Sequence, residues 1–241
     1  STTDPRCDKF GLATLQYHGL TKTKADAWFA ELCRSGSPKD TRHPKPKPNA
    51  EQRRIIRRII DRCLQEMEDE AGSADFRSEP LRCLLHGVPG AGKSEVLQWL
   101  RIFFEEVCGW THGKEFVYLA SQNSMAALID GATFHSFMGV PFMKEDGVVA
   151  NRRDRRSGEH GVSDFYLRFE RLRFVFIDEC STLGCEVLAA GEDQARQNIR
   201  ESNTWAMRGR TDMRCFGGLN VCFAGDLWQF KPVQQLSLIH I

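Results

Sequence analysis

The sequence predicts an α/β fold in which helices cover both faces of a mostly parallel sheet. Four short apolar runs each end in a polar cluster: LRCLL before HGVPGAGKS, FVYLA before SQNS, FVFI before DEC, and NVCFA before GDLWQ. Nearly continuous hydrophobicity is typical of strands that are buried on both faces. Helical patterns at 94–107 and roughly 186–201 supply covering layers. Because ligands bind beyond the carboxyl ends of such strands, we expect the four polar clusters to form one site.

The N-terminal part differs from the rest of the chain. Residues 1–38 show weak helical patterning, with Trp28, Phe29 and Leu32 at helix-like spacing. The following RHPKPKPN segment has three alternating prolines, which favours an extended, basic linker. We therefore expect residues 1–47 to be an extension and linker of unassigned function, and residues 48–235 to form the α/β lobe.

A helix is predicted directly after the linker. Asn49 is suited to cap its N-terminus, and seven apolar residues fall on one face. They are Ile55, Ile56, Ile59, Ile60, Cys63, Leu64 and Met67. The arginines of this segment are expected on the opposite face.

Composition narrows the function classes only slightly. Thirty-three Lys and Arg balance 32 Asp and Glu, so the net charge of +1 favours neither nucleic acid nor an acidic partner. The nine cysteines form no CxxC pair, and the histidines lack zinc-finger spacing, so no zinc site is expected. No apolar run approaches the ~20 residues of a membrane span, and no secretory signal is recognised. We expect an intracellular protein without a membrane partner.

The segment HGVPGAGKS carries the strongest motif. Gly87, Gly92, Lys93 and Ser94 fit GxxxxGK[ST], after a predicted strand and at the start of a predicted helix. In such a loop the backbone amides approach phosphates, Lys93 reaches the β and γ oxygens, and Ser94 ligates Mg²⁺. The loop residues Pro89, Gly90 and Ala91, together with Glu95, complete the expected nucleotide site. The alternative is a glycine-rich turn with a lysine by chance.

Two further polar clusters suggest nucleotide hydrolysis. Asp178 and Glu179 end a buried-type strand, where Asp178 would hold hydrated Mg²⁺ and Glu179 would activate the attacking water. The alternative is that both acids simply begin the next helical segment. Gln229, after the last strand, is placed to reach the γ-phosphate or the water. Lys93, Asp178, Glu179 and Gln229 are thus the expected catalytic residues.

Taken in order, these segments resemble the first motor lobe of the PIF-type helicases, the 5'-to-3' branch of helicase superfamily 1. The resemblance rests on the phosphate loop, Asp178-Glu179-Cys180-Ser181, the FGG at 216–218 and the GDLWQFKPV segment, and it covers roughly residues 48–235. It implies a three-layer RecA-like lobe that uses ATP and Mg²⁺ to drive translocation on single-stranded or partly duplex DNA. It also implies roles in repair, recombination or telomere maintenance, in the nucleus or mitochondrion of a eukaryote. Similar helicases occur in rolling-circle transposons.

The resemblance also assigns individual residues. The family's adenine-reading glutamine corresponds to Gln52, although Asn49 and Gln52 also have capping-box spacing. TFHSF at 133–137 resembles a DNA-contacting element, in which Phe134 and Phe137 either stack on a base or belong to the core. The expected contacts to DNA phosphates are Ser121, Asn123, Thr133, His135 and Ser136.

The sequence departs from the family pattern at three places. Asn123-Ser124 replaces a usual Thr-Gly, the stretch from Ala127 to Thr133 is one residue short, and Lys231 replaces the first proline of PPV. The basic run at 151–161 either touches a nucleic-acid backbone or is a solvated loop.

Both ends of the chain suggest a fragment. It begins with Ser1, and LSLIHI at 236–241 is what CTG TCT CTT ATA CAC ATC encodes, which resembles the end of a transposase-based library adapter. We therefore expect a tail of adapter origin in place of a second motor lobe. Two rival interpretations stay open: another P-loop ATPase, and a non-catalytic, transposon-derived remnant that binds nucleic acid.

Overall fold

A five-stranded parallel sheet forms the centre of the structure, which is a computed structural model. The structure describes residues 17, 19–36, 46–71, 77–140, 142–143, 149–150, 168–199, 205–208 and 212–228. The described helices are α1 (Lys22–Ser35), α2 (Ala50–Ala71), α3 (Lys93–Ile102), α4 (Asn123–Leu128), α5 (Phe134–Met138) and α6 (Cys185–Asn198). The sheet strands are β1 (Arg82–His86), β2 (Phe116–Ala120), β3 (Ala132–Thr133), β6 (Phe174–Asp178) and β9 (Asn220–Gly225). They lie in the order β1-β9-β6-β2-β3.

Shorter elements complete the described chain. Two antiparallel pairs lie outside the central sheet, β4 (Phe142–Met143) with β5 (Val149–Ala150), and β7 (Met207–Arg208) with β8 (Asp212–Met213). A π-helical turn, Phe103–Val107, continues α3, and 3-10 turns span Cys180–Thr182 and Cys215–Gly218. The predicted helix at 94–107 is therefore α-helical only as far as Ile102.

The inner strands β2, β6 and β9 are largely buried on both faces, as the sequence predicts, whereas the edge strand β1 is partly exposed, with Leu84 at 44%. Alternate residues of β2 point to opposite sides, so Phe116 and Tyr118 join the core beneath α1, α2 and α3, whereas Val117 and Leu119 join the core beneath α5 and α6. All five residues of β2 are buried. The three-layer α/β prediction is confirmed.

The predicted helix after the linker is also confirmed. Asn49 and Gln52 form a reciprocal capping box at the start of α2, with both N···O distances at 2.9 Å. The predicted apolar face packs on the core, with Ile55 and Met67 at its edge. Residues upstream contribute to the same core, since Tyr17, Leu20, Ala25 and Leu32 are buried in it.

One arginine of this helix is not at the surface. Arg62 is buried, and its guanidinium donates to Glu66 and to Asn220. Arg173, just before β6, donates to the same Glu66 carboxylate. The reason is that α2 crosses the amino-terminal edge of the sheet, so this turn of its polar face meets protein in place of water.

The FGG segment sets the start of β9. Phe216, Gly217 and Gly218 all adopt left-handed backbone conformations, with φ of 51°, 58° and 80°. A Cβ on Gly218 would lie 1.8 Å from the Trp205 carbonyl oxygen, so no side chain fits there. The sharp turn delivers Asn220 to the buried cluster, where it donates to Glu66.

Candidate nucleotide and nucleic-acid site

The four polar clusters meet at one edge of the sheet, as predicted. The register pairs His86 with Gly225 and Ala120 with Asp178, so the segments that follow β1, β9, β2 and β6 leave the sheet side by side. The phosphate-loop motif follows β1, and its first amide, Gly87 N, donates to Gly225 O at 3.3 Å. The carboxyl edge therefore holds every described candidate for nucleotide chemistry except Gln52.

The phosphate loop ends at a helix start without a side-chain cap. Gly90 and Gly92 have φ of 78° and 82°, which L side chains rarely adopt, and α3 begins at Lys93. The loop from Val88 to Ala91 is exposed, as is Ser94 in the first turn of the helix. An exposed helix N-terminus with uncapped amides suits the oxygens of a polyphosphate.

Lys93 is held close to the loop backbone. Its Nζ donates to Gly87 O at 2.6 Å and lies 3.4 Å from Val88 O. Burial raises the pKa of both Asp178 and Glu179, and the positive charge of Lys93 lowers both by a smaller amount. The lysine of the loop and the two acids thus belong to one electrostatic site.

Gln52 connects α2 to the phosphate loop. While its Oε1 accepts from Asn49 N in the capping box, its Nε2 lies 3.4 Å from both Ala91 O and Gly92 O. A Cβ on Gly92 would come 2.5 Å from Nε2, so the contact requires glycine. The helix-capping role of Gln52 is confirmed, and the same side chain stands beside the candidate nucleotide.

Asp178 and Glu179 end β6 with an unusual backbone. Asp178 Oδ1 accepts from Glu179 N at 3.0 Å, and Glu179 has a left-handed conformation, with φ 49° and ψ 44°. Burial raises the pKa of Asp178; burial and then the charge of Asp178 raise the pKa of Glu179. A non-glycine residue held at positive φ is strained, and such residues concentrate at functional sites.

The donor set suits a magnesium ion. Ser94 offers an exposed hydroxyl and Asp178 a carboxylate, which are the oxygen ligands that Mg²⁺ prefers when it also keeps waters and phosphate oxygens. In the parts of the chain that the structure describes, no group of three or more His, Cys, Asp or Glu side chains is arranged to hold a metal ion. Two protein ligands with phosphate are compatible with that finding.

The candidate DNA contacts follow β2 and β3 at the same edge. Asn123 and Ser136 are exposed, and Ser121, Thr133 and His135 are half-buried. The Thr133 hydroxyl accepts from Ser136 N at 3.3 Å and so caps α5. Burial lowers the pKa of His135.

The two aromatic rings of the TFHSF segment belong to the core. Phe134 is fully buried and Phe137 nearly so, which confirms the core alternative for both. The Phe134 ring packs against Gly191 of α6 so closely that a Cβ at that glycine would lie 2.3 Å from Cζ.

Two residues at this edge were missed by sequence reasoning. Thr182 follows the acid pair and its Oγ1 lies 2.6 Å from Ser121 Oγ. Asp226, at the end of β9, is buried, with its Oδ1 accepting from Trp228 N and 3.7 Å from His86 Nε2. A polar residue follows each apolar run, and this pattern could have identified Asp226. No pattern in the sequence points to Thr182.

Several predictions fall on residues that the structure does not describe. These are the role of Gln229, the effect of Lys231, the basic run at 151–161 and the tail at 236–241. Among the described helices, none combines the length and apolar character needed to cross a membrane.

Comparison with known proteins reveals clear relatives. A family model described as PIF1-like helicase matches residues 47–237. The ATP-dependent DNA helicase PIF1 of Saccharomyces cerevisiae is 31% identical over 150 residues, which cover 62% of this chain and 15% of that protein. The ATP-dependent DNA helicase Pif1 of Bdellovibrio bacteriovorus is 31% identical over 166 residues, 68% of this chain and 32% of that protein.

A solved structure resembles the fold. Unliganded Pif1 from Bacteroides sp. has a TM-score of 0.51 and 22% identity, over 80% of this chain and 34% of that one. This likeness supports the RecA-like α/β lobe. The chain spans 15% and 32% of the lengths of the two curated relatives.

Proposed function

Since the chain belongs to the family of PIF1-like helicases, we propose that it is the first motor lobe of an ATP-dependent DNA helicase. The relatives described above are named ATP-dependent DNA helicases. The activity we propose is ATP hydrolysis coupled to 5'-to-3' translocation on single-stranded DNA and to unwinding of partly duplex DNA. Repair, recombination and telomere maintenance are the processes such an activity would serve, in the nucleus or mitochondrion if the source is eukaryotic.

The observation that carries this proposal is the meeting of Lys93 with Asp178 and Glu179 at one edge of the sheet. If this were a glycine-rich turn that contains a lysine by chance, no acid pair would need to lie near that lysine. Here Lys93 is close enough to lower the pKa of both Asp178 and Glu179. Likewise, helix-favouring acids would not require the strained backbone of Glu179. The combination is what phosphoryl transfer to water needs, since positioning and charge supply most of the catalysis.

Each residue of the site has a proposed task. The loop from Gly87 to Gly92 and the start of α3 bind phosphate oxygens, and Lys93 neutralises the β and γ oxygens. Ser94 and Asp178 would hold Mg²⁺, which would offset the negative charge of the phosphates. Glu179 orients and deprotonates the attacking water.

Two glutamines are proposed to recognise the nucleotide. Gln52 would read adenine from its position beside Gly92, which its contacts with the phosphate loop support. Gln229 would sense the γ-phosphate by hydrogen bonding, so that the loss of that group changes the conformation of the lobe. Pro89, Gly90, Ala91 and Glu95 shape the remainder of the pocket.

DNA is proposed to run across the carboxyl ends of β2 and β3. Ser121, Asn123, Thr133, His135 and Ser136 would donate to backbone phosphates, and the exposure of Asn123 and Ser136 supports such contacts. Stepping would require a second lobe that closes on the nucleotide and supplies an arginine to the γ-phosphate. We therefore expect residues 1–235 alone to bind nucleotide weakly and not to unwind DNA.

ATP turnover measured with and without single-stranded DNA tests the proposal. In the full-length protein that contains these residues, oligothymidylate should stimulate turnover, and Lys93→Ala or Glu179→Gln should abolish it. Turnover that DNA does not affect would favour another P-loop ATPase. DNA binding without turnover in the wild type would favour a non-catalytic remnant. Efficient unwinding by residues 1–235 alone would contradict the need for a second lobe.

A further inference from the structure

A pair of hydroxyl groups joins the loop after β2 to the loop after β6. Thr182 Oγ1 lies 2.6 Å from Ser121 Oγ and 2.7 Å from Glu179 O. The residues are far apart in sequence, and the pairing of Ala120 with Asp178 brings them together. A direct link thus runs from a candidate DNA contact to the backbone of the candidate general base.

The threonine hydroxyl has two acceptors but one hydrogen. When it donates to Glu179 O, the Ser121 hydroxyl can donate to Thr182 Oγ1, and all three oxygens are satisfied. When it donates to Ser121 Oγ instead, Glu179 O keeps only its bond from Thr182 N, at 3.0 Å. The direction of the Ser121–Thr182 bond therefore decides how firmly the Glu179 carbonyl is held.

That carbonyl belongs to a strained residue. Glu179 has a φ of 49°, and a non-glycine residue keeps such a backbone only when its surroundings enforce it. Both groups of Thr182 that can donate, the hydroxyl and the amide, are directed at Glu179 O. Thr182 is therefore the residue best placed to stabilise or release this conformation.

We propose that Thr182 is a positioning residue that couples DNA contact at Ser121 to the backbone of Glu179. The inference rests on the proposed function, in which Ser121 donates to a DNA phosphate. Once the Ser121 hydrogen is directed at a phosphate, Ser121 Oγ can only accept from Thr182. The Thr182 hydroxyl then leaves Glu179 O, and the Glu179 side chain is released to reach the attacking water.

Removal of the Thr182 hydroxyl tests the coupling. Thr182→Val keeps the shape of the side chain, and Thr182→Ser keeps the hydroxyl. In the full-length protein, kcat and KM for ATP are measured with and without oligothymidylate. We expect Thr182→Val to reduce the DNA stimulation of kcat by roughly three- to tenfold, with KM for ATP little changed. Thr182→Ser should restore the stimulation, which a purely structural loss would not predict.

Two further variants sharpen the result. Thr111→Val makes the same change at an exposed threonine before β2 and should leave the stimulation unchanged. Ser121→Ala should reduce the stimulation, and adding it to Thr182→Val should cause no further loss, because both act through one bond. If Thr182→Val does not fold, Thr182→Ala removes the same hydroxyl and replaces it in the comparison with Thr182→Ser.

The outcomes separate the two proposals. If the wild type is stimulated and Thr182→Val is stimulated equally, the coupling is wrong and the helicase proposal stands. Equal loss in Thr182→Ser and Thr182→Val would also overturn the coupling. A wild type that DNA does not stimulate would contradict the proposed function itself and, with it, the coupling.

Discussion

Arg173 binds the carboxylate of Glu66 through two hydrogen bonds, with Nε–Oε2 at 3.0 Å and Nη2–Oε1 at 2.7 Å, and both side chains are fully buried. The same carboxylate accepts from Arg62 and Asn220, and the Tyr17 hydroxyl also donates to it. One acid on α2 therefore joins the N-terminal segment to the residues that precede β6 and begin β9. This cluster lies at the edge of the sheet opposite the candidate nucleotide site.

Replacement of Glu66 should strongly destabilise the fold. Glu66→Gln leaves two buried guanidinium groups without a counter-charge, and breaking such a cluster costs about 3–5 kcal/mol. Urea denaturation of the chain would measure the loss. Glu31→Gln is the matched control, because Glu31 pairs with Arg34 at the surface of α1, where side-chain exposure is 34% and 78%, and it should cost far less. Similar losses for the two variants would refute a special role for the buried cluster.

The same carboxylate should make stability depend on acid pH. Burial alone would raise the pKa of Glu66, but Arg173 and Arg62 outweigh it and lower the pKa from 4.5 to about 2. A lowered carboxyl pKa stabilises the folded state above pH 4.5, and this contribution is lost as pH falls toward 2. In the wild type, the urea concentration at the midpoint of unfolding should fall as the pH is lowered through this range. In Glu66→Gln that part of the decline should be missing.

Gly191 should not tolerate even one methyl group. A Cβ there would lie 2.3 Å from Phe134 Cζ and 2.6 Å from Cε1, and both residues are buried. Gly191→Ala should destabilise the lobe by about 1–3 kcal/mol, although alanine favours helices. Phe134→Leu removes the obstructing ring atoms. In a double-mutant cycle, Gly191→Ala should therefore destabilise the Phe134→Leu background less than it destabilises the wild type. Additive losses would show that the ring and the glycine do not clash.

Gln52 offers a way to separate helix capping from nucleotide binding. Asn49→Ala and Gln52→Ala each break the capping box and should each cost about 1 kcal/mol of stability. Only Gln52 contacts the phosphate loop, through Ala91 O and Gly92 O. Gln52→Ala alone should therefore weaken ATP binding, measured as KM for ATP in the full-length protein. Equal KM values for ATP in the two variants would show that Gln52 caps the helix but does not contribute to ATP binding.

The sequence predicted best what depends on local pattern. The apolar runs predicted the inner strands because burial on both faces removes polar residues, although the edge strand β1 is partly exposed. The phosphate loop was recognisable because its geometry requires glycine. The burial of Arg62 could not be predicted, because an arginine four residues before a glutamate is usual on exposed helix faces. Only the packing of Arg173 and Asn220 against this pair distinguishes it from a surface pair.

The link between Ser121 and Thr182 could not be predicted for a different reason. Sixty-one residues separate the two hydroxyls, and they meet only because β2 and β6 are neighbours in the sheet. FGG is an intermediate case, because its motif is visible in the sequence. Its cause, the contact of Gly218 with the Trp205 carbonyl, exists only in the folded chain.

The acid pair should shape the pH dependence of ATP turnover. Burial, and then the negative charge of Asp178, raise the pKa of Glu179 above its ordinary 4.5. A general base acts only when ionised, so kcat/KM should rise with pH through this raised pKa, which places the acid limb above pH 4.5. The pH profile of DNA-stimulated turnover in the full-length protein would measure it. Glu179→Gln should lower turnover at least ~100-fold at pH values above the acid limb, because its amide cannot accept the proton. An acid limb centred at or below pH 4.5 would show that Glu179 does not titrate as the base.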